Sequence, residues 1–255
     1  MNTAQLLEKI KEKKEFKNID DSLIYDILDE YSEKYKLNLE NLDKFKAKIV
    51  IKEIRAKLRL YTGRFQKSLK DRLRLLEENK IEELLKTHSS TAERINFYSE
   101  IKKLIKNLKI KSILDLGCGI NPIALANKDI EYYAADINKS DLLLIERFFE
   151  KNKINGKTFV YDLRKVNENL PKADICLIFK TLDIIEKKSH KLAEKIIKTV
   201  KCRYFLISFA TRTLSGRHMK YKRRIWLEAL LKNLGYKYEV LNSNNEIFYF
   251  FQKLN

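Results

Sequence analysis

The residues whose types and spacing suggest chemistry are Asp115, Gly117, Gly119, Asp136 and Asp162. The first three form D-x-G-x-G at the end of the apolar run Ile113-Leu114-Asp115-Leu116, and Pro122 opens a short apolar helix just beyond. Such a run reads as a buried parallel strand. Two glycines at its end let a ligand lie against bare backbone, and proline suits a first helical turn, where its missing N–H is not needed. Ligands of open α/β sheets bind at these carboxyl strand ends. A dinucleotide site wants a third glycine where Pro122 stands, and the phosphate-binding G-x-x-x-x-G-K-[ST] pattern is absent. Asp136 ends the next apolar run, Glu131–Asp136, about twenty residues on, where a carboxylate can accept from both ribose hydroxyls. Asp162 ends Lys157–Asp162 and is placed to meet an adenine amino group. Together these residues suit S-adenosylmethionine (SAM) as cofactor. The competing reading is a structural strand–turn–helix whose acids merely cap helices.

The elements that must position these residues follow from periodicity. From residue 112 onward strands alternate with helices, the pattern of a doubly wound, mostly parallel sheet. Strands are expected at Ser112–Leu116, Glu131–Asp136, Thr158–Asp162, Asp174–Phe179, Arg203–Phe209, Lys237–Leu241 and Glu246–Gln252, the last two closing as a hairpin through Asn242–Asn245. The clearest intervening helices are Asn138–Lys151 and Thr181–Val200. The expected fold is therefore α/β, a Rossmann-like class I SAM-dependent methyltransferase with a seven-stranded sheet. Residues 1–87 read as an all-helical N-terminal domain and residues 88–255 as the methyltransferase domain. In the long helix Leu39–Leu60, Leu42, Phe45, Ile49, Ile54 and Leu58 are expected to face inward.

The chain has 255 residues and a formal net charge of +18. Such an excess suits a polyanionic partner, because lysine and arginine neutralise phosphates and release counterions; a lysine-rich proteome is the bland explanation. The excess concentrates between Lys44 and Arg74, where Lys44, Lys46, Lys48, Lys52, Arg55, Lys57, Arg59, Arg64, Lys67, Lys70, Arg72 and Arg74 face only Glu53 and Asp71. Ordinary solvated helices tend to alternate signs. This face reads as an RNA-docking surface that contacts phosphates rather than bases, carried by Lys44, Lys48, Lys52, Arg55, Arg59, Arg64, Lys67 and Arg74. A second basic stretch, Ser208–Arg224, directly follows a strand and so projects over the cofactor rim; it includes Arg212, Arg217, His218 and Lys220. The three cysteines lack metal spacing and form no even set, so they read as buried thiols in a reducing cytoplasm. The amino terminus lacks the apolar block of a signal peptide, and no run approaches a membrane span. No heptad seam is evident, which points to a monomer.

His88–Arg94, HSSTAER, offers Ser89, Ser90 or Thr91 as cap for a helix Ala92–Leu108, but capping leaves Arg94 unexplained. With Ser112–Ala126 (SILDLGCGINPIALA), Ala135–Ile137, Phe179–Leu182 (FKTL) and Ser208–Gly216 (SFATRTLSG), this stretch resembles the 16S rRNA (guanine-N7) methyltransferases of aminoglycoside producers and resistant bacteria, the Arm/Rmt (FmrO-type) family. Order and spacing agree over nearly the whole chain. The glycine loop is shared by many methyltransferases, whereas the HSSTAER and SFATRTLSG pair is far more specific. The resemblance implies a SAM-dependent enzyme methylating N7 of a decoding-site guanine in the 30S subunit. It implies that Arg94 meets the SAM carboxylate, that Gly117 lines the methionine end, and that Asp136 and Ile137 hold ribose and adenine; Gly119 is counted with the cofactor-binding residues. Asp162 would meet the adenine edge and Phe179 would line the cofactor site. Phe209, Arg212, Ser215 and Arg217 would approach the target base, with Lys220 on RNA beside them. The chain departs from the family at Arg217-His218-Met219-Lys220, where an acidic Met-Glu-Glu stretch is common, and at Glu186-Lys187-Lys188, where a glutamine is common.

Guanine N7 carries a free lone pair at neutral pH, so its methylation removes no proton. The lack of an obvious catalytic His/Asp pair fits that chemistry, and no metal is needed. Methylation of tRNA or of adenine N1 fits the same residues, and a non-catalytic ribosome-binding or assembly factor is the alternative from another class.

Overall fold

The computed structural model describes residues 1–62, 68–186, 189–213 and 216–253. The amino-terminal part is helical: α1 (Thr3–Lys11), α2 (Asp21–Tyr35), α3 (Lys44–Thr62), α4 (Leu69–Glu77), α5 (Ile81–Leu85), α6 (Ser89–Arg94) and α7 (Tyr98–Asn107). Then β1 (Ser112–Leu116), α8 (Asn121–Leu125), β2 (Glu131–Asp136), α9 (Lys139–Asn152), β3 (Gly156–Val160), β4 (Ala173–Phe179), α10 (Leu182–Ile185), α11 (Lys191–Thr199), β5 (Cys202–Ala210), α12 (Ile225–Asn233), β6 (Tyr238–Asn242) and β7 (Glu246–Gln252) alternate.

The strands form one seven-stranded sheet in the order β3-β2-β1-β4-β5-β7-β6. The pairs from β3 to β5 are parallel, and β7 runs antiparallel to both β5 and β6. The expected doubly wound sheet and closing hairpin are both present. Strand order reverses between β1 and β4, which places the binding crevice at their carboxyl ends. Side chains alternate across the sheet. Ile113, Tyr132, Ile175 and Leu206 pack in one cluster with α7 and α9; Leu114, Cys176, Phe205 and Ile207 pack in another with α11 and α12. All three cysteines are buried and free.

A separate apolar cluster joins α1, α2 and α3 through Leu6, Ile10, Ile24, Ile27, Val50, Ile54 and Leu58. Helices α4 and α5 instead send Leu75, Leu76, Leu84 and Leu85 into the sheet's cluster, although they precede residue 88.

Three expectations are corrected. Phe45 and Ile49 point outward, 74% and 42% exposed, while Ala47 and Val50 take the inward seam of α3; a helical turn of 3.6 residues puts Ala47, Val50, Ile54 and Leu58 on one stripe. The helix expected over Thr181–Val200 is two, α10 and α11. Glu186 leaves helical geometry with ψ 143°, and its carboxylate accepts the Ala193 N–H at 2.5 Å. The cap of the HSSTAER segment is His88 rather than a hydroxyl residue, and the helix it starts stops at Arg94, before a 3-10 turn leads into α7.

Candidate cofactor cleft and nucleic-acid interface

The glycine turn lies where β1 ends. Gly117 and Gly119 take φ of +69° and +50°, the left-handed region that other L-residues adopt only at a cost. The N–H groups of Gly117 and Cys118 both donate to the Ala135 carbonyl, at 2.9 and 3.1 Å, which ties the turn to β2. A Cβ on Gly117 would stand 2.6 Å from Thr181 Oγ1, and one on Gly119 would stand 2.8 Å from the His88 ring. Gly117→Ala is therefore expected to lower unfolding free energy by about 1–3 kcal/mol from backbone strain alone, measured by urea denaturation. A wild-type midpoint in that variant would show that the turn is not under this constraint.

Asp136 closes the other side of the turn. Its Oδ2 accepts the Gly119 N–H at 2.8 Å and its Oδ1 accepts the Asn138 N–H at 2.9 Å. Burial, and then the charge of Asp141, push its carboxyl up to about 6. Asp115 is wholly buried in β1. Its Oδ2 accepts the Tyr132 hydroxyl at 2.8 Å, and its Oδ1 has no partner among the described residues. Burial pushes this carboxyl up to about 7.

Other expected cofactor residues are engaged elsewhere. Arg94 is 1% exposed. It donates to Glu246 Oε1 from Nη2 at 2.6 Å and from Nε at 3.2 Å, to Asn121 Oδ1 at 2.7 Å, and to Ser90 Oγ at 3.3 Å. Its guanidinium lies 4.5 Å above the Phe179 ring. Each guanidinium nitrogen thus has a protein partner. Phe179 is core, edge-on to Phe248 at 5.6 Å. Asp162 caps a 3-10 turn at Leu163–Lys165, and both its oxygens accept from Arg164, at 2.6–3.1 Å. Arg164 reaches on to Asp26 of α2 at 3.1 Å. Ile137 packs on the α1–α3 cluster and its carbonyl accepts the Asp20 N–H at 3.2 Å. The amino-terminal helices are therefore fastened to the segments that follow β2 and β3.

On the substrate side, Phe209 is fully buried. Its ring meets Trp226 and Tyr249 edge-on, and Arg224 lies over it at 5.1 Å. It sits in the second sheet cluster, so it does not approach a target base. Arg212, Arg217 and Lys220 are exposed, and neither Arg212 nor Arg217 has a carboxylate partner among the described residues. Backbone bonds Thr213 N–H to Arg217 O (2.8 Å) and Met219 N–H to Thr211 O (2.9 Å) fold this stretch into a hairpin-like loop. Arg224 anchors its far end through Asp183 at 2.6 Å. Ser215 lies outside the described residues.

The basic face divides. Lys44, Lys48 and Lys52 recur every fourth residue along exposed α3 with no carboxylate partner among the described residues, and Phe45 and Ile49 lie between them. Arg55 instead donates to the Lys9 and Ile10 carbonyls of α1, and Arg59 pairs with Glu15 at 2.9 Å. Arg74 is exposed, 3.9 Å from Glu78. Arg72, counted with the polar face, is 1% exposed and pairs with Asp141 at 2.6 Å. Arg64 and Lys67 lie outside the described residues.

Sequence reasoning missed four residues. His88 and Thr181 fill the spaces beside the two glycines. Glu246 gathers Arg94, Ser208 and Lys180. Lys180 holds φ +55° at the end of β4. His88, Thr181 and Lys180 stand within HSSTAER and FKTL, so those stretches were the available signal; Glu246 had none.

A family model described as ribosomal RNA methyltransferase (FmrO) matches residues 77–250, which include the glycine turn, Asp136 and the Arg94–Glu246 pair. The chain belongs to the FmrO family. The 16S rRNA (guanine(1405)-N(7))-methyltransferase of Frankia casuarinae is 24% identical over 175 residues, 65% of this chain and 61% of that one. The enzyme of the same name from Serratia marcescens is 28% identical over 154 residues, 59% of this chain and 60% of its own. This FmrO-family chain thus spans about three-fifths of the length of these curated relatives. The crystal structure of 16S rRNA methyltransferase RmtF in complex with S-adenosyl-L-homocysteine shares the fold over 100% of both chains, with a TM-score of 0.83 at 19% identity. The 16S rRNA methylase ArmA is 26% identical, with a TM-score of 0.59 over 74% of this chain and 99% of that one.

Proposed function

We propose that this FmrO-family chain is a SAM-dependent methyltransferase acting on N7 of a decoding-site guanine of 16S rRNA in the 30S subunit, as a cytoplasmic monomer. Residues 1–87 would dock on rRNA and residues 88–255 would carry the chemistry. The observation that supports this most is the glycine turn clasped by Asp136, lying inside the stretch that the family model matches.

The residues fit SAM. Bare glycine backbone offers a cradle, Asp136 offers acceptors for ribose hydroxyls, and the orphaned Oδ1 of buried Asp115 offers an acceptor for a cationic amino acid end. When bound, SAM supplies a methyl group on a sulfonium. The protein's own task is to take the base out of its stack and hold N7 in line, so that position lowers the barrier. No residue has to remove a proton. Exposed Arg212 and Arg217 would grip a flanking phosphate or guanine O6, because a guanidinium beside N7 would oppose the positive charge that the base acquires. Among the described residues no helix is long and apolar enough to cross a membrane.

The direct test is transfer of labelled methyl from SAM to 30S subunits, deproteinised 16S rRNA and bulk tRNA, with the product mapped by cleavage at 7-methylguanosine. Label on 30S with cleavage at a decoding-site guanine is expected. Label on tRNA, or on 30S without that cleavage, would move the activity to another nucleotide, as the basic Arg217–Lys220 stretch allows. SAM bound without transfer to any RNA would favour an assembly factor.

Cofactor binding should also depend on pH. With its carboxyl raised to about 6, Asp136 is an ionised acceptor above that pH and loses acceptor capacity as pH falls through it. SAM affinity is expected to be about tenfold weaker at pH 5 than at pH 7, a tenfold change per unit below the titration. Calorimetric titration across that range checks it. Asp136→Asn should bind weakly and with a shallower pH dependence, the remainder belonging to Asp115, whose carboxyl is raised to about 7; a dependence as steep as that of wild type would remove Asp136 from the site.

A further inference from the structure

We propose that the outer face of α3 is a stacking platform for an unpaired base of the RNA, with the Phe45 ring under the base and Lys44 and Lys48 on the phosphates beside it. The inference rests on the RNA-docking reading and adds the kind of RNA element that the face takes. Helix α3 carries two apolar stripes. Ala47, Val50, Ile54 and Leu58 are buried against α1 and α2. Phe45, Ile49, Ala56 and Leu60 are exposed, Phe45 at 74%. At 3.6 residues per turn these four fall within about 60° of one another. Single exposed apolar residues are ordinary, but a row of them rimmed by polar side chains marks an interaction surface.

The charges around the row say what covers it. On one flank Lys46 lies 3.7 Å from Asp43, and Lys57 pairs with Glu30. On the other, Lys44, Lys48 and Lys52 are exposed with no carboxylate partner among the described residues. These three recur every four residues, a rise of about 6 Å per step, comparable to the step between phosphates along one RNA strand. Lys44 and Lys48 each immediately precede an exposed apolar residue, Phe45 and Ile49. Phosphate contacts alone need no such neighbour. An aromatic ring between phosphate-binding lysines is the arrangement that holds a splayed-out base. A duplex cannot use it, because its bases are already stacked. A second copy of this chain would set the same unpaired lysines against one another across a two-fold contact. A lipid surface would meet Lys52 and Glu53, both exposed, in the middle of the apolar row.

The test measures binding of the whole protein to single-stranded poly(A), whose bases are open, and to the poly(A)·poly(U) duplex, whose bases are paired. Phe45→Leu keeps an apolar side chain and removes the ring. It is expected to bind poly(A) about tenfold more weakly, the scale of one lost base–aromatic stack, and to bind the duplex as wild type does. Its slope of log affinity against log salt should match wild type, because no phosphate contact is lost. Phe45→Tyr keeps a ring and should bind both polymers as wild type does; a tyrosine variant as weak as the leucine one overturns the proposal. Undiminished affinity of Phe45→Leu for poly(A) overturns it, as does equal weakening for both polymers, which would make Phe45 a general apolar contact. Undiminished RNA binding with weaker capture of 30S subunits would give the face to a ribosomal protein and overturn it as well. The lysines separate this inference from the docking reading. If reversal of Lys44, Lys48 and Lys52 to glutamate leaves both polymers bound as in wild type, α3 does not dock on RNA and both fall. If that reversal weakens both polymers while Phe45→Leu weakens neither, docking stands and the stack alone falls.

Discussion

Glu246→Ala is expected to cost the fold about 3–5 kcal/mol, the effect of leaving a buried charge without its partner. Glu246 and Arg94 are each 1% exposed and meet at 2.6 Å. Glu246 Oε1 also accepts the Ser208 hydroxyl at 2.6 Å, and Lys180 Nζ lies 3.8 Å from its other oxygen. Removing the carboxylate strands a guanidinium between Phe179 and Tyr98, where water cannot replace the lost contact. The double variant Arg94→Met/Glu246→Leu should recover most of the loss, because two apolar groups avoid the desolvation that one orphaned charge suffers. Urea denaturation of wild type, both single variants and the double variant closes the cycle. A loss below about 1 kcal/mol for Glu246→Ala, the range of an exposed ion pair, would show that the pair is not sealed from water.

Reversing Lys44, Lys48 and Lys52 to glutamate is expected to reduce methyl transfer to 30S subunits by more than about 100-fold at physiological salt while leaving SAM affinity unchanged. Each lost phosphate contact should flatten the salt dependence of RNA binding by about one in slope, and reversed charges add repulsion. These three lysines are exposed and unpaired among the described residues. Reversal of Arg55 and Arg59 should act differently, since they bind α1 and Glu15; there the loss should appear as lower stability. Undiminished transfer by the triple variant would remove α3 from the docking surface.

The fold class and the glycine turn were legible in the chain because they rest on local rules. A short, mostly apolar run such as Ser112–Leu116, ended by glycines, reads as a buried strand of a parallel sheet, and glycines at a strand end signal left-handed backbone. Asp136 was legible too, since its place at the next strand end follows from strand spacing. The division of labour among the charged residues was not. Lys44 and Arg55 look alike as sequence, yet one faces solvent and the other caps the carbonyls of a neighbouring helix.

Tertiary packing alone decided which arginines meet a buried carboxylate. Arg94 meets Glu246 across 152 residues, and Arg72 meets Asp141 across 69. No periodicity reports a partner so distant, because the pairing depends on which elements the sheet brings together. The same limit misplaced Phe209, whose strand position was right but whose side chain belongs to the buried face. It also hid His88 and Thr181, which matter because they fill the space that two missing Cβ atoms leave. The sequence by itself determined the sheet, its glycine turn and the acid beside it; only the tertiary structure decided which side chains remain free to meet a ligand, because that depends on what each has already been given to hold.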